Sequence, residues 1–159
     1  MENNKLNNKI KTTISEFLNE NINKKTIYHF TENLDSLYLI LKGDSLESGS
    51  FNGMFGRGYD NISFTWNPKL WDIQYAGDYN YRYNVRISFD YNLISKKWDF
   101  KPFNYGIDEE QEEIVELDEM YEITSYITEI LISDDESITE INNIKRSYPN
   151  LNITTINRE

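Results

Sequence analysis

The stretch Thr26-Ile27-Tyr28-His29-Phe30-Thr31, followed at once by Glu32-Asn33-Leu34, restricts the possible folds more than any other part of the chain. Its β-branched and aromatic residues suit a strand. On a strand, Ile27, His29 and Thr31 share one face while Tyr28 and Phe30 share the other. Asn33 is suited to cap a following helix, in which Leu34, Leu37, Ile40 and Leu41 keep helical spacing until Gly43 ends it. His29, the only histidine of the chain, therefore sits on a strand that turns tightly into a helix.

The remaining elements follow from the same patterns. Ile10, Ile14, Phe17 and Leu18 predict an amphipathic helix from about Lys5 to Glu20, so residues 1–25 read as an N-terminal helical extension and 26–159 as one domain. Asn61 to Thr65 is a short strand signal that Asn67-Pro68 breaks, and Ser63 and Thr65 share one of its faces. Lys69 to Tyr81 is irregular and aromatic, with Trp71, Tyr75, Tyr79 and Tyr81. Tyr83 to Asp90 is the cleanest strand, with Val85, Ile87 and Phe89 on the buried face and Arg86, Ser88 and Asp90 opposite. Strands are also predicted at Ile114 to Leu117 and at Glu129 to Ile132. Ser137-Ile138-Thr139-Glu140 is a capping box opening a helix through Ile141 and Ile144, and Leu151 to Ile156 suits a last strand. Strands in succession through the middle imply a single α+β domain with a mixed, mostly antiparallel twisted sheet, flanked by an N-terminal helix and a C-terminal helix and strand.

Composition narrows the chemistry. There is no cysteine, which removes disulfides, thiolate nucleophiles and zinc-thiolate sites, and a single histidine removes a histidine-rich metal site; no metal is expected. No run approaches the roughly twenty apolar residues of a membrane span, and the opening residues lack a secretory apolar core, so a cytoplasmic protein with no membrane partner is expected. Sixteen basic against 27 acidic residues give a formal net charge of −11. That balance disfavours binding to duplex DNA and favours a partner with a basic surface. The acid is concentrated at Asp108-Glu109-Glu110-Gln111-Glu112-Glu113 and at Asp134-Asp135-Glu136, runs that most often form solvated loops.

Between Ser48 and Asn61 stand Gly49, Gly53, Gly56 and Gly58, with Phe51, Met54, Phe55 and Arg57 among them. This is either a flexible surface loop or a loop whose backbone approaches a ligand closely. It is not a phosphate-binding loop, because no Gly-Lys-Ser or Gly-Lys-Thr follows.

The ordered set of a Tyr-His-Phe-Thr strand entering a helix, an Ile-Ser-Phe-Thr strand after a glycine-rich loop, and a late Glu-Glu-Gln-Glu-Glu entering a strand resembles the ADP-ribosyltransferase superfamily. The similarity is to its histidine-type branch and to small phage-borne and toxin-like relatives, and it covers about Thr26 to Ile132. The resemblance implies an ADP-ribosyltransferase-like fold and NAD as a substrate, with no metal. It implies that His29 hydrogen-bonds a ribose of NAD with Thr31 beside it, and that Ser63 and Thr65 wall the nicotinamide pocket. It further implies that Glu112 or Glu113 is the catalytic glutamate, with Glu110 or Gln111 two residues earlier. Tyr75, Tyr79, Tyr81 and Phe55 are the nearest rings able to stack on nicotinamide, and Arg57, Arg82 and Arg86 are cations able to pair with its phosphates or with the acidic run. Where relatives carry a polar residue after the serine–threonine strand, this chain has Trp66 and then Asn67-Pro68.

The chemistry has its own logic. Breaking the glycosidic bond to nicotinamide builds positive charge on the ribose, and one carboxylate aimed at that sugar lowers the barrier. Two functions are carried forward: an NAD-dependent mono-ADP-ribosyltransferase acting on a macromolecular acceptor, protein rather than nucleic acid, in a host cytoplasm if phage-encoded; and a non-catalytic acidic protein that covers a basic partner surface.

Overall fold

β1 (Thr26–Thr31) lies at the centre of a seven-stranded sheet and holds the rest of the molecule in register. The structure, a computed structural model, describes residues 26–48, 61–74, 80–103 and 112–157; the helix predicted between Lys5 and Glu20 lies outside them. After β1 come α1 (Leu34–Gly43), β2 (Ser45–Glu47), β3 (Ile62–Thr65), β4 (Asp72–Gln74), β5 (Asn80–Arg82) and β6 (Val85–Asp90). A short helix α2 (Tyr91–Ile94), β7 (Lys101–Pro102), β8 (Glu112–Val115), β9 (Glu119–Tyr121), β10 (Ile127–Ser133), α3 (Ile138–Ser147) and β11 (Ile153–Ile156) complete the order. The sheet runs β11-β10-β6-β1-β3-β8-β7 and is antiparallel except where β11 joins β10. The α+β class with a mixed, mostly antiparallel sheet is as the sequence predicts; β2 with β9 and β4 with β5 form two further ribbons that the sequence pattern does not reveal.

Register assigns each residue a face. Ile27 pairs with Phe89, His29 with Ile87 and Thr31 with Val85, while Ile130 and Ile132 pair with Ile87 and Val85. Ile27, Val85, Ile87, Phe89, Ile130 and Ile132, with Ile62, Phe64, Val115 and Ile153, pack with Leu34, Leu37 and Leu41 of α1 and Ile141 and Ile144 of α3 in a single core. The other face carries Tyr28, Phe30, Ser63, Thr65, Arg86, Ser88, Glu112 and Glu129. Core residues such as Ile27, Val85, Ile87 and Phe89 are fully buried, each removing on the order of 2 kcal/mol of apolar exposure from water.

One boundary differs from the sequence expectation, at β8, and two hold. α1 ends at Gly43 as expected, and the next residue, Asp44, is αL (φ 51°), its carboxylate accepting from Thr124 N at 2.8 Å. Glu112 and Glu113 belong to β8 and not to an acidic loop, because they pair with Thr65 and Phe64 of β3. The acid at 134–136 does form a turn, but a pinned one: Arg82 reaches Asp135 at 3.0 Å and Asn84 reaches Glu136 at 2.8 Å.

Candidate functional site

β1, β3 and β8 bring three of the predicted segments together. His29 and Ser63 are joined at 2.9 Å between the imidazole Nδ1 and the Ser63 carbonyl. A carbonyl only accepts, so Nδ1 carries the proton and Nε2 keeps its lone pair in the neutral ring. The Ser63 hydroxyl in turn donates to Glu112 Oε1. Tyr28 and Thr65 are the register pair of β1 and β3, and beyond it toward Thr31 the two strands are tied by the histidine ring instead of by a longer ladder.

The pleat divides the predicted residues. Ser63, Thr65 and Glu112 share one face, with Thr65 opposite Glu112 across β3 and β8. His29 and Glu113 lie on the other, where the imidazole packs against Phe64 at 5.8 Å between ring centroids. Phe64 continues into Phe100, Tyr91 and Trp66, and the Trp66 indole N–H donates to Glu113 Oε1 at 3.0 Å. Glu113 is thus engaged beside an aromatic cluster, while Glu112 is engaged by a hydroxyl on an exposed serine.

Burial pulls the imidazole of His29 below its ordinary pKa of 6.5, partly offset by its hydrogen bond to the Ser63 carbonyl. The ring is therefore neutral at physiological pH. The Tyr91 phenol is pushed up, by burial first and then by the negative charges of Glu113 and Asp99, so it remains a hydroxyl.

On the face that bears Glu112, the neighbouring strands add a cation and aromatic rings. The Arg86 side chain is 13% exposed, pairs with Glu129 at 3.0 Å, donates to the Pro68 carbonyl at 2.8 Å and lies over the Tyr28 ring at 4.8 Å. Phe30 packs edge-on against Trp71 at 5.2 Å. Arg86 Nε and Ser88 Oγ are buried there with no hydrogen-bond partner among the described residues. Arg86 is thus committed to Glu129 and Pro68, and Arg82 to Asp72 and Asp135. Sequence reasoning gave no site role to Tyr28, Trp66, Tyr91 or Glu129; the alternation of β6 and its continuation onto the neighbouring strands was the available signal for Tyr28 and Glu129.

Thr31 stands on the His29 face, opposite Val85. Arg57, Tyr75, Tyr79, Phe55, Glu110 and Gln111 lie outside the described residues, as does most of the glycine-rich stretch, and of Tyr81 only the backbone, in β5, is described. Among the described residues no group of three or more His, Asp or Glu side chains is placed to hold a metal ion, and no helix is long and apolar enough to cross a membrane. Comparisons with protein-family models, with curated proteins and with solved structures give no match.

Proposed function

We propose that the protein is an NAD-dependent mono-ADP-ribosyltransferase with a macromolecular acceptor, a protein and not duplex DNA, and that Glu112 is its catalytic carboxylate. The observation that carries this reading is the hydrogen-bond chain from His29 through Ser63 to Glu112, which links residues 34 and 49 positions apart. A serine hydroxyl donating to one carboxylate oxygen fixes the direction of the other, which is what electrostatic stabilisation of a developing sugar cation requires. Glu113 answers to Trp66 on the far side of the sheet and is the poorer candidate.

In this reading the bond between the ribose C1′ and nicotinamide breaks, and its electron pair leaves with nicotinamide. Glu112 faces the positive charge that grows on the sugar, and a nucleophilic atom of the acceptor bonds to C1′ and releases its proton to water. His29 presents Nε2 as an acceptor for a ribose hydroxyl. Because His29 and Glu112 project from opposite faces, a dinucleotide that touches both lies where β1 and β3 part. The test is transfer of label from NAD, labelled in its adenosine half, to proteins of a host lysate, with nicotinamide release measured in parallel. Wild type should transfer label and Glu112→Gln should not; a wild type inert toward NAD across the lysate would overturn the proposal.

The same division of faces favours a second reading, in which the fold serves as an acidic binder and does no chemistry. A pull-down that recovers one basic partner, with affinity unchanged by His29→Ala and weakened by salt, would select it.

A further inference from the structure

Ser63 is held at two of its atoms. Its backbone carbonyl accepts from His29 Nδ1 at 2.9 Å, and its hydroxyl donates to Glu112 Oε1. A serine is a weak nucleophile until a base stands ready to take its proton, and here a carboxylate already receives that hydrogen bond. The residue is also exposed. Two other hydroxyls of the same face are closed off. Thr65 is 3% exposed, with its Oγ1 accepting from Asn67 N at 2.9 Å, and Ser88 is 2% exposed and lies two strands away on β6.

What this serine can do depends on the reading of Glu112 as the catalytic carboxylate, and the inference rests on that reading. Glu112 then faces the ribose C1′ of NAD, and the nucleophile that the fold places beside the same carboxylate belongs to the chain itself. We propose that Ser63 is an acceptor of the ADP-ribosyl group, so that the protein modifies itself at this residue when no other acceptor fills the site.

The step balances with the groups present. The bond from C1′ to nicotinamide breaks and its electron pair leaves with the ring, which departs neutral because its nitrogen carries the positive charge in NAD. Ser63 Oγ bonds to C1′, and its proton passes to Glu112 and on to water. The leaving group needs no acid, so one carboxylate suffices as base. A nucleophile aligned in the same cleft also needs no diffusive encounter, an advantage equivalent to an effective concentration on the order of 10⁵ M or more. The rival nucleophile is Glu112, since a carboxylate that itself attacks C1′ forms a glycosyl ester.

The test uses the full chain alone with NAD labelled in its adenosine half. Nicotinamide release is followed, and the label is mapped by peptide mass spectrometry before and after neutral hydroxylamine, which cleaves glycosyl esters and spares serine glycosides. The expected result is hydroxylamine-resistant label on Ser63 and none on Thr65. Ser63→Thr keeps a hydroxyl at this position and should still be labelled there, whereas Ser63→Ala should lose the resistant label. Glu112→Gln removes the base and should slow labelling by about 10²-fold or more. An unchanged thermal melt of each variant shows that the fold is intact. Nicotinamide release with no label on Ser63, label that sits on Glu112 and is removed by hydroxylamine, or a chain that labels lysate proteins but never itself would overturn this inference and leave the transferase reading standing. A chain inert toward NAD both alone and in the lysate would overturn both.

Discussion

Glu112 and Glu113 are neighbours of the same chemistry, and the pleat of β8 gives them unlike surroundings. A strand reverses its side chains at every residue, so Glu112 meets the Ser63 hydroxyl and Glu113 meets the Trp66 indole. If Glu112 is the aimed carboxylate, removing its orienting hydroxyl with Ser63→Ala should lower kcat by about 10²-fold while KM moves little, as expected when a reacting group loses its alignment. Steady-state kinetics of nicotinamide release measures this split, and an equal rise in KM would assign Ser63 to substrate binding instead. His29 makes a separate prediction. Its pKa is lower in the folded protein than in the unfolded chain, so the fold favours the neutral ring. The unfolded state therefore takes up the proton first as pH falls. The contribution of this ring to stability is present above the ordinary imidazole value of 6.5 and is lost as pH drops through the depressed folded value. Urea unfolding of wild type against His29→Gln between pH 8 and pH 5 should show the difference in stability shrinking toward acid; a constant difference would contradict the assignment.

The elements show what could be read from local pattern and what could not. β1, the Asn33 cap and α1 were legible together, because a β-branched run, a capping side chain and a helix-period stripe follow one another without a break. Asn33 Oδ1 indeed accepts from Ser36 N at 3.0 Å, and Ser137 caps α3 more loosely at 3.5 Å. Asn33→Ala should therefore cost about 1 kcal/mol of stability, and Ser137→Ala less, as read from denaturant midpoints at constant slope. The alternation of Val85, Ile87 and Phe89 in β6 was legible for the same reason. β2 and β9 were not: Ser45-Leu46-Glu47 and Glu119-Met120-Tyr121 are three residues each, too short for periodicity, and they exist because Leu46 and Met120 are buried in the shared core. The start of β8 was hidden by charge, since nothing local in Glu112-Glu113 signals that β3 will pair with it. For the candidate site, the sequence supplied His29, Ser63 and Glu112 as candidates and the faces of His29 and Ser63 on their own strands, but not which faces coincide, because that depends on register between strands distant in the chain.

At the scale of the molecule, one core on one face of the sheet supports the polar arrangement on the other. Phe64 joins the two: it is 2% exposed, packs against Phe89 at 5.7 Å and Phe100 at 5.0 Å, and stands between Ser63 and Thr65 on β3. Phe64→Ala should destabilise the fold by about 3–5 kcal/mol, seen as a lowered midpoint of thermal unfolding; a loss under 1 kcal/mol would mean that β3 is not anchored by this core. The central claim is that a single carboxylate, held by Ser63 on the face away from the core, is directed at the sugar of NAD. Its most direct test is nicotinamide release under single-turnover conditions by wild type, Glu112→Gln and Glu113→Gln side by side. The account predicts a rate lower by about 10²-fold or more for Glu112→Gln and a rate near wild type for Glu113→Gln; the reverse order, or equal rates in all three proteins, would contradict it.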